Sequence, residues 1–411
     1  MIERRLKPSE LGLIPVDWTV VKLSDISDFA TAAVSTDRFS PEAYVTTDNM
    51  LQDRMGVVPF MGELPYGRVR EYRPGDILLS NIRPYLKKIW LSNVNAGCSN
   101  DVLVIRPKAD FVDSGFLFSQ LSRDSFFQYV TDTATGTKMP RGDKGLIKEY
   151  LVAIPKYKEE QERISKAFFE IDQLLGDLNR CINKKKMVRQ GTLNQLLTGA
   201  NRLKGFSQKW QEKCIGEIGH TYSGITGKGK ADFGHGLCRY ITFLNVLNNP
   251  YINTDILESV DIDPMSENQN EVRKGDLFFN TSSETPEDVG TCSTLLTDVD
   301  NVYLNSFCFG YRLEDEEMSG LFLSYYFRSA IGRKEMTMLA QGATRYNLSK
   351  ENFNKIVVTV PPTKKEQDRI AGILTAMDKE IAALEAERDK YKNIKQGMMQ
   401  KLLTGQIRLP V

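Results

Sequence analysis

Lys158-Glu159-Glu160-Gln161-Glu162-Arg163-Ile164 and Lys364-Lys365-Glu366-Gln367-Asp368-Arg369-Ile370 are one pattern written twice, 206 residues apart. At the same offset Gln190-Gly191 repeats as Gln396-Gly397, Leu196-Leu197-Thr198-Gly199 as Leu402-Leu403-Thr404-Gly405, and Arg202-Leu203 as Arg408-Leu409. Between Pro155–Leu203 and Pro361–Leu409, 18 positions are identical without a gap. Agreement of that length and spacing marks a duplication, and a period this long is a repeated domain rather than a solenoid unit.

The duplication continues backwards with an offset that shrinks in steps, as small loop insertions produce. Arg106 matches Arg312, Phe116-Leu117 matches Phe322-Leu323 and Gly136 matches Gly342 at 206 residues. Gly75-Asp76 matches Gly275-Asp276 at 200, Tyr44-Val45-Thr46 matches Tyr240-Ile241-Thr242 at 196, and Trp18 matches Trp210 at 192. Each half is therefore a divergent part of roughly 155 residues followed by a well-matched part of roughly 45.

The well-matched parts read as long helices. Pro155 and Pro361-Pro362 precede them, Gly and Pro then almost vanish, and Thr198-Gly199 and Thr404-Gly405 supply a glycine stop. Apolar residues step by threes and fours: Ile164, Phe168, Ile171, Leu175, Leu178, Ile182 in one copy and Ile370, Leu374, Met377, Ile381, Leu384 in the other. This is a narrow coiled-coil seam rather than the broad apolar stripe of a surface helix. A helix of about 40 residues is about 60 Å long, and its seam needs a partner. The other copy is the natural one. The pattern predicts an antiparallel coiled coil with pseudo-twofold symmetry.

The divergent parts read as α+β domains. Strand-like runs are Asp76–Leu79, Val102–Ile105 and Tyr150–Ile154, and then Leu277–Phe279, Phe307–Tyr311 and Ile356–Val360. One helix is expected near Phe116–Tyr129 and one over Leu321–Leu339.

Composition narrows the function. A chain of 411 residues holds two or three domains. No apolar run is long enough for a bilayer, and Met1 to Lys7 is charged where a signal peptide is apolar. The six cysteines are scattered, and the histidines are only His220 and His235. That argues against a metal site or a disulfide framework and for a reducing cytoplasm. The net charge is +1, so a nucleic-acid ligand would need local clusters of basic residues or a partner's positive surface.

Such clusters occur in the expected loops. The first half offers Arg68 and Arg70, then Arg83, Lys87 and Lys88, then Thr137, Lys138, Arg141 and Lys144. The second offers Thr226, Lys228 and Lys230, then Arg333 and Lys334, then Thr344 and Arg345. Arginine and lysine beside glycine suit phosphate contact and base-edge reading, although a single surface charge is equally often only solvated. Enzyme motifs are missing. Asn248-Asn249-Pro250-Tyr251 has one proline where an adenine methyltransferase needs two, and no glycine-rich cofactor loop or Walker motif is present.

The doubled helix opening, the doubled Leu-Leu-Thr-Gly close and the lead-in Gly12-Leu13-Ile14-Pro15-Val16-Asp17-Trp18 together resemble the specificity subunits of type I restriction–modification systems. The second lead-in, Gly205-Phe206-Ser207-Gln208-Lys209-Trp210, lacks the Ile-Pro. The resemblance implies a target-recognition domain in 1–156, a long helix in 157–200, a second target-recognition domain in 201–361, a second helix in 362–405 and a tail in 406–411. It implies a non-catalytic subunit that reads a bipartite site on double-stranded DNA. Its helices would set the gap between half-sites and dock two methyltransferase subunits, with restriction/motor subunits joining. No cofactor is expected in this chain; S-adenosylmethionine, Mg and ATP belong to the partners. Two alternatives are the specificity subunit of a type IIB-like system and a coiled-coil scaffold that binds no DNA.

Overall fold

A computed structural model describes residues 5–342 and 345–409. The chain forms two compact units. One contains residues 1–180 together with 385–411, and the other contains 181–384. The division cuts both long helices, Lys158–Leu197 and Lys364–Lys401. Each unit is thus one divergent domain, the first half of its own helix and the second half of the other helix.

Within the first unit a four-stranded antiparallel sheet runs in the order Ser27–Phe29, Val102–Pro107, Ile77–Ser80, Ile89–Leu91. The second unit repeats that order with Gly219–Ser223, Cys308–Leu313, Leu277–Asn280, Cys292–Thr294. A two-stranded pair ties each domain's start to the strand before its helix: Trp18–Lys22 with Leu151–Pro155, and Gln211–Cys214 with Val357–Val360. Each unit also has a three-stranded sheet.

The duplicated residues have duplicated work. Arg73-Pro74-Gly75-Asp76 and Arg273-Lys274-Gly275-Asp276 are the same turn. Asp76 and Asp276 accept from the backbone N–H of Arg73 and Arg273, both at 2.8 Å, and the glycines sit at φ 87° and 90°. Each aspartate is almost fully buried and is paired through two bonds with the matching arginine. Arg106 reaches Asp76 at 2.8 and 2.7 Å, and Arg312 reaches Asp276 at 3.0 and 2.7 Å. A buried carboxylate needs such a partner to remain charged.

The Glu-Gln of each helix opening is equally specific. Gln161 accepts from Asp113 N–H at 2.8 Å and donates to the Pro155 carbonyl at 3.1 Å. Gln367 accepts from Ser319 N–H at 2.9 Å and donates to the Pro361 carbonyl at 2.9 Å. The amide thus fixes a helix to its own domain. The glutamate beside it receives the arginine that follows the other helix. Arg408 donates to Glu160 at 2.5 and 2.6 Å, and Arg202 donates to Glu366 at 2.9 and 3.0 Å.

In each unit taken alone, the helices run antiparallel. In the first, Glu160 meets Arg408 and Asp172 meets Lys395. In the second, Lys185 meets Glu380, Arg189 meets Asp378 and Arg202 meets Glu366. Of the seam residues, Ile164, Phe168, Ile171, Leu178, Ile370, Leu374 and Ile381 are buried, while Leu175, Met377 and Leu384 are half-buried. The opening turns serve the domain cores as well. Ile164 and Phe168 pack with Phe116, Leu117, Leu402 and Leu403, and Ile370 and Leu374 pack with Phe322, Leu193 and Leu197.

The expected single helices are each broken in two. Ser114–Leu121 and Asp124–Asp132 replace the first, and Gly320–Arg328 and Ala330–Leu339 the second. Ser329 stops one helix and caps the next, accepting from Gly332 N–H. The side-chain oxygen satisfies a helix-start N–H that has no partner within its own helix.

Candidate nucleic-acid interface

In the first unit the chain leaves the sheet at Ser80, and a loop over 81–88 follows. Arg83 and Lys87 both hold left-handed backbones, at φ 49° and 51°, around the short turn Pro84–Leu86. Non-glycine residues hold such angles only where their surroundings fix them. Here Arg83 N–H donates to the Pro140 carbonyl at 2.8 Å, and Gly142 N–H donates to the Asn81 carbonyl at 3.0 Å. The loop at 135–144 therefore lies directly against the loop at 81–88. Thr135 and Arg141 exchange two backbone bonds of 2.9 Å, closing the second loop. Asp143 ends it by capping Lys144–Lys148. Two of the three basic clusters of the first half thus form one surface.

The basic side chains on that surface differ in availability. Arg83, Lys138 and Lys144 are exposed and have no ion pair among the described residues; Thr137 is exposed beside them. Arg141 is paired with Asp101 at 3.0 Å. Lys87 meets Asp124 at 2.7 Å, and Arg54 joins the same carboxylate. These two cations hold the Asp124 carboxyl below the usual range, Lys87 most strongly. Lys88 donates to the Thr47 carbonyl at 2.6 Å. Arg68 and Arg70 lie on the strand Arg68–Tyr72. They donate to the carbonyls of Ala33 at 2.7 Å and of Val102, the residue after Asp101, at 2.6 Å.

The second unit builds the same surface with other side chains. Leu348 N–H donates to the Thr281 carbonyl at 2.9 Å, and Gln341 and Asn347 exchange two backbone bonds of 3.0 and 2.8 Å. Ser282–Ser283 pairs with Tyr346–Asn347, and Ser349 caps the helix Lys350–Asn354. Arg345 is exposed and its Nε reaches the Ser282 hydroxyl at 3.3 Å. Thr344 lies outside the described residues. Thr226 is bound to Gln269 at 3.0 and 2.8 Å, and Lys228 to Glu267 at 2.7 Å; Lys230 is exposed. Lys350 reaches the Ser223 hydroxyl at 2.8 Å, which brings the 223–230 segment to the same side.

Arg333 and Lys334 lie on the helix Ala330–Leu339. Lys334 is exposed. Arg333 is half-buried and donates to the carbonyls of Glu287 and Val289, and burial pushes its pKa down. Arg328, further inside, donates to the carbonyls of Val246, Leu247, Asn249 and Cys292, and burial pushes its pKa down to about 10. Both arginines hold the 281–290 loop or its neighbours in place.

Three residues of this surface escape a sequence reading: Asp101, Arg54 and Phe307. Phe307 reads as the first residue of a strand, but the strand begins at Cys308, and Phe307 is left 55% exposed. The single available clue is its register, since Phe307 stands where the first unit has Asp101. Among the described residues no cluster of His, Cys, Asp and Glu could hold a metal ion, and no helix is long and apolar enough to cross a membrane.

The type I restriction modification DNA specificity domain matches this chain twice, over 15–185 and 207–395. The chain is 23% identical to the specificity subunit assigned to the type I restriction enzyme MjaX of Methanocaldococcus jannaschii, covering 99% of this chain and 97% of that protein. It is 23% identical to the type I restriction enzyme MjaVIII specificity subunit of the same organism, covering 96% and 94%. In fold it is similar to the crystal structure of a type I restriction–modification S subunit from M. genitalium, with a TM-score of 0.62 at 15% identity, covering 94% of this chain and 96% of that one. A chain from a structural study of complex assembly in the type I R-M system gives a TM-score of 0.51 at 17% identity, covering 96% and 99%.

Proposed function

This chain belongs to the type I restriction–modification DNA specificity family, and from that premise we propose that it is a sequence-specific DNA reader with two heads, each recognising one part of an asymmetric bipartite site. In this reading it docks two methyltransferase subunits and the restriction/motor subunits. S-adenosylmethionine, Mg and ATP act in those partners, and this chain contributes no catalytic group.

One observation carries the reading. The same strand end presents the same pair of segments in both units, 81–88 with 135–144 and 281–288 with 341–342 and 345–347, on matching backbone bonds. Yet the side chains differ almost throughout: Arg83, Lys138 and Arg141 in one, Ser283, Arg345 and Asn347 in the other. A fixed frame with divergent side chains is what two readers of different base sequences require.

The test is to express the chain with its methyltransferase and map methylated adenines genome-wide. Two specific segments separated by an unread spacer are expected. A single continuous palindrome would overturn the reading. Exchanging residues 1–156 for the matching domain of a relative should alter one segment and leave the other unchanged.

A further inference from the structure

Beside the second unit's loop pair lies an open cleft of about 740 Å³. Its apolar side is Phe243, Leu247 and Phe307, and its polar rim includes Ser283, Glu284 and Arg345. Phe307 is not a loose surface ring. Its carbonyl accepts from Thr281 N–H at 2.9 Å and from the Thr281 hydroxyl at 2.8 Å, and its N–H donates to Asn305 at 2.8 Å. The ring is thus held over the cleft by a fixed backbone, with 55% of the residue's surface exposed.

The first unit has nothing equivalent at this place. Asn81 N–H makes the matching bond, at 2.8 Å, to the carbonyl of Asp101, whose side chain is neutralised by Arg141. The residue in register with Arg141 is Asn347. An ion pair in one head is replaced by an exposed aromatic ring and an amide in the other.

The chemistry of the cleft selects its occupant. A phosphate gains nothing from a phenyl ring, and the one cation on the rim among the described residues, Arg345, is opposed by two carboxylates that line the cleft, Glu284 and Asp288. The surroundings add to that opposition, because residues 201–361 carry 21 Asp and Glu against 16 Lys and Arg. A base edge fits better. In the major groove an A·T pair presents the adenine amino group as a donor and, on the far side of the thymine O4, the 5-methyl, whereas a G·C pair has no methyl to offer.

On the reading that this unit is a DNA-recognition head, we infer that it reads an A·T pair through this cleft. Phe307 lies against the thymine 5-methyl, and a rim acceptor such as Glu284 takes the amino hydrogen. Phe307 is then a specificity-determining residue of the second half-site.

Deoxyuridine, which lacks only that methyl, isolates the contact. The complex of this chain with its methyltransferase is titrated against target duplexes in which each thymine of the second half-site is replaced in turn by deoxyuridine. One position should weaken binding roughly three- to fivefold, the worth of one buried methyl group. With Phe307→Ala the uridine penalty at that position should vanish, and the methylation map should show thymine preference relaxed there by a similar factor, roughly three- to fivefold. The first half-site and the remaining positions of the second half-site should stay unchanged, and the latter shows that the altered unit still folds. A second half-site indifferent to uridine at every position, or an equal penalty in Phe307→Ala, overturns the inference. A relaxed position that proves to be G·C overturns the A·T assignment. If the unaltered complex recognises no bipartite site at all, it is the two-headed reading that fails, a result distinct from a flat uridine series on a genuine bipartite target.

Discussion

The two units close the same joint with different parts. In the first, Arg408 is held by two carboxylates: Glu160 at 2.5 and 2.6 Å, and Asp17 at 2.9 and 2.8 Å. In the second, Arg202 has the one carboxylate of Glu366 and lies over the Trp210 ring at 5.8 Å, while Trp210 Nε1 donates weakly to Glu366 at 3.4 Å. The difference follows from one position, since Asp17 before Trp18 corresponds to Lys209 before Trp210. The joint tolerates replacement of one partner because a guanidinium can satisfy its charge with a second carboxylate or lean on an aromatic face. What does not vary is the buried glutamate, 1% exposed in both units.

Removing that glutamate should break the comparison most strongly. Glu366→Ala leaves Arg202 without a carboxylate, and losing one partner of a buried pair costs about 3–5 kcal/mol. Glu160→Ala leaves Arg408 its two bonds to Asp17 and should cost roughly half as much. Amide hydrogen exchange, followed separately in each unit, measures both. Equal losses would mean that Asp17 gives no reserve.

The glycine stops differ next. Gly199 and Gly405 both take left-handed backbones, at φ 69° and 72°. A Cβ on Gly405 would meet the Pro15 ring at 2.4 Å, whereas one on Gly199 would meet only the Trp210 ring at 3.4 Å. The Pro15 ring is tied to its own backbone and cannot swing aside as a flexible side chain can. The second lead-in, residues 205–210, has no proline. Gly199→Ala should therefore cost about 1–2 kcal/mol from backbone strain alone, and Gly405→Ala about 1–3 kcal/mol more from overpacking. Thermal or denaturant unfolding of the two variants gives the ranking, and a costlier Gly199→Ala would contradict it.

These joints show why the fold was legible. Glu160, Gln161, Leu196, Leu197, Gly199 and Arg202 have the same tasks as their partners 206 residues on, so both copies retained them and the repeat stood out. The antiparallel pairing followed from the seam, because a long narrow apolar stripe needs a partner. The break at Ser329 was not legible, since a capping serine inside an apolar run leaves the helical period intact, and the break at 122–123, where Arg123 precedes the second helix without a side-chain cap, was not legible either. The candidate interface was legible only in part. Basic residues beside glycines pointed to the loop at 136–144 and basic residues beside Tyr85 to the loop at 81–88, but sequence cannot distinguish Lys138, which has no ion pair among the described residues, from Lys87, which Asp124 holds. Nor can it show that Arg333 is spent on two backbone carbonyls.

That distinction between free and held cations makes the next prediction. Lys138 in the first unit is exposed, whereas Lys228 in the second is held by Glu267 at 2.7 Å. A lysine that neutralises a phosphate contributes about one unit to the log–log dependence of affinity on salt. Lys138→Ala should lower that slope by about one and weaken DNA binding at low salt. Lys228→Ala should leave the slope nearly unchanged, because its charge is already matched within the protein. Titrating both variants, in complex with the methyltransferase, over a range of salt concentrations decides between them. An equal fall in slope would show that Glu267 releases Lys228 to DNA.

The smallest expected effect is the response of the two joints to acid. Arg408 holds the Asp17 carboxyl below its ordinary range, chiefly through their hydrogen bonds and against a smaller opposing push from burial. A carboxylate whose folded pKa is depressed adds stability that is fully present above its unfolded value, about 4. That stability is lost as the pH falls through the folded pKa. The first joint should therefore loosen below about pH 4 by an increment that Asp17→Asn removes. At neutral pH Asp17→Asn should be modestly less stable than the unaltered chain, since Arg408 keeps Glu160. As the pH drops the two should converge, because a protonated Asp17 no longer offers Arg408 a charge. The second joint has Lys209 in place of Asp17, so Lys209→Ala should leave the acid profile of its unit as it was. Hydrogen exchange across the acid range, read in each unit separately, measures the convergence. If the gap between Asp17→Asn and the unaltered chain stayed constant with pH, Asp17 would be acting on Arg408 as a spacer rather than as a charge.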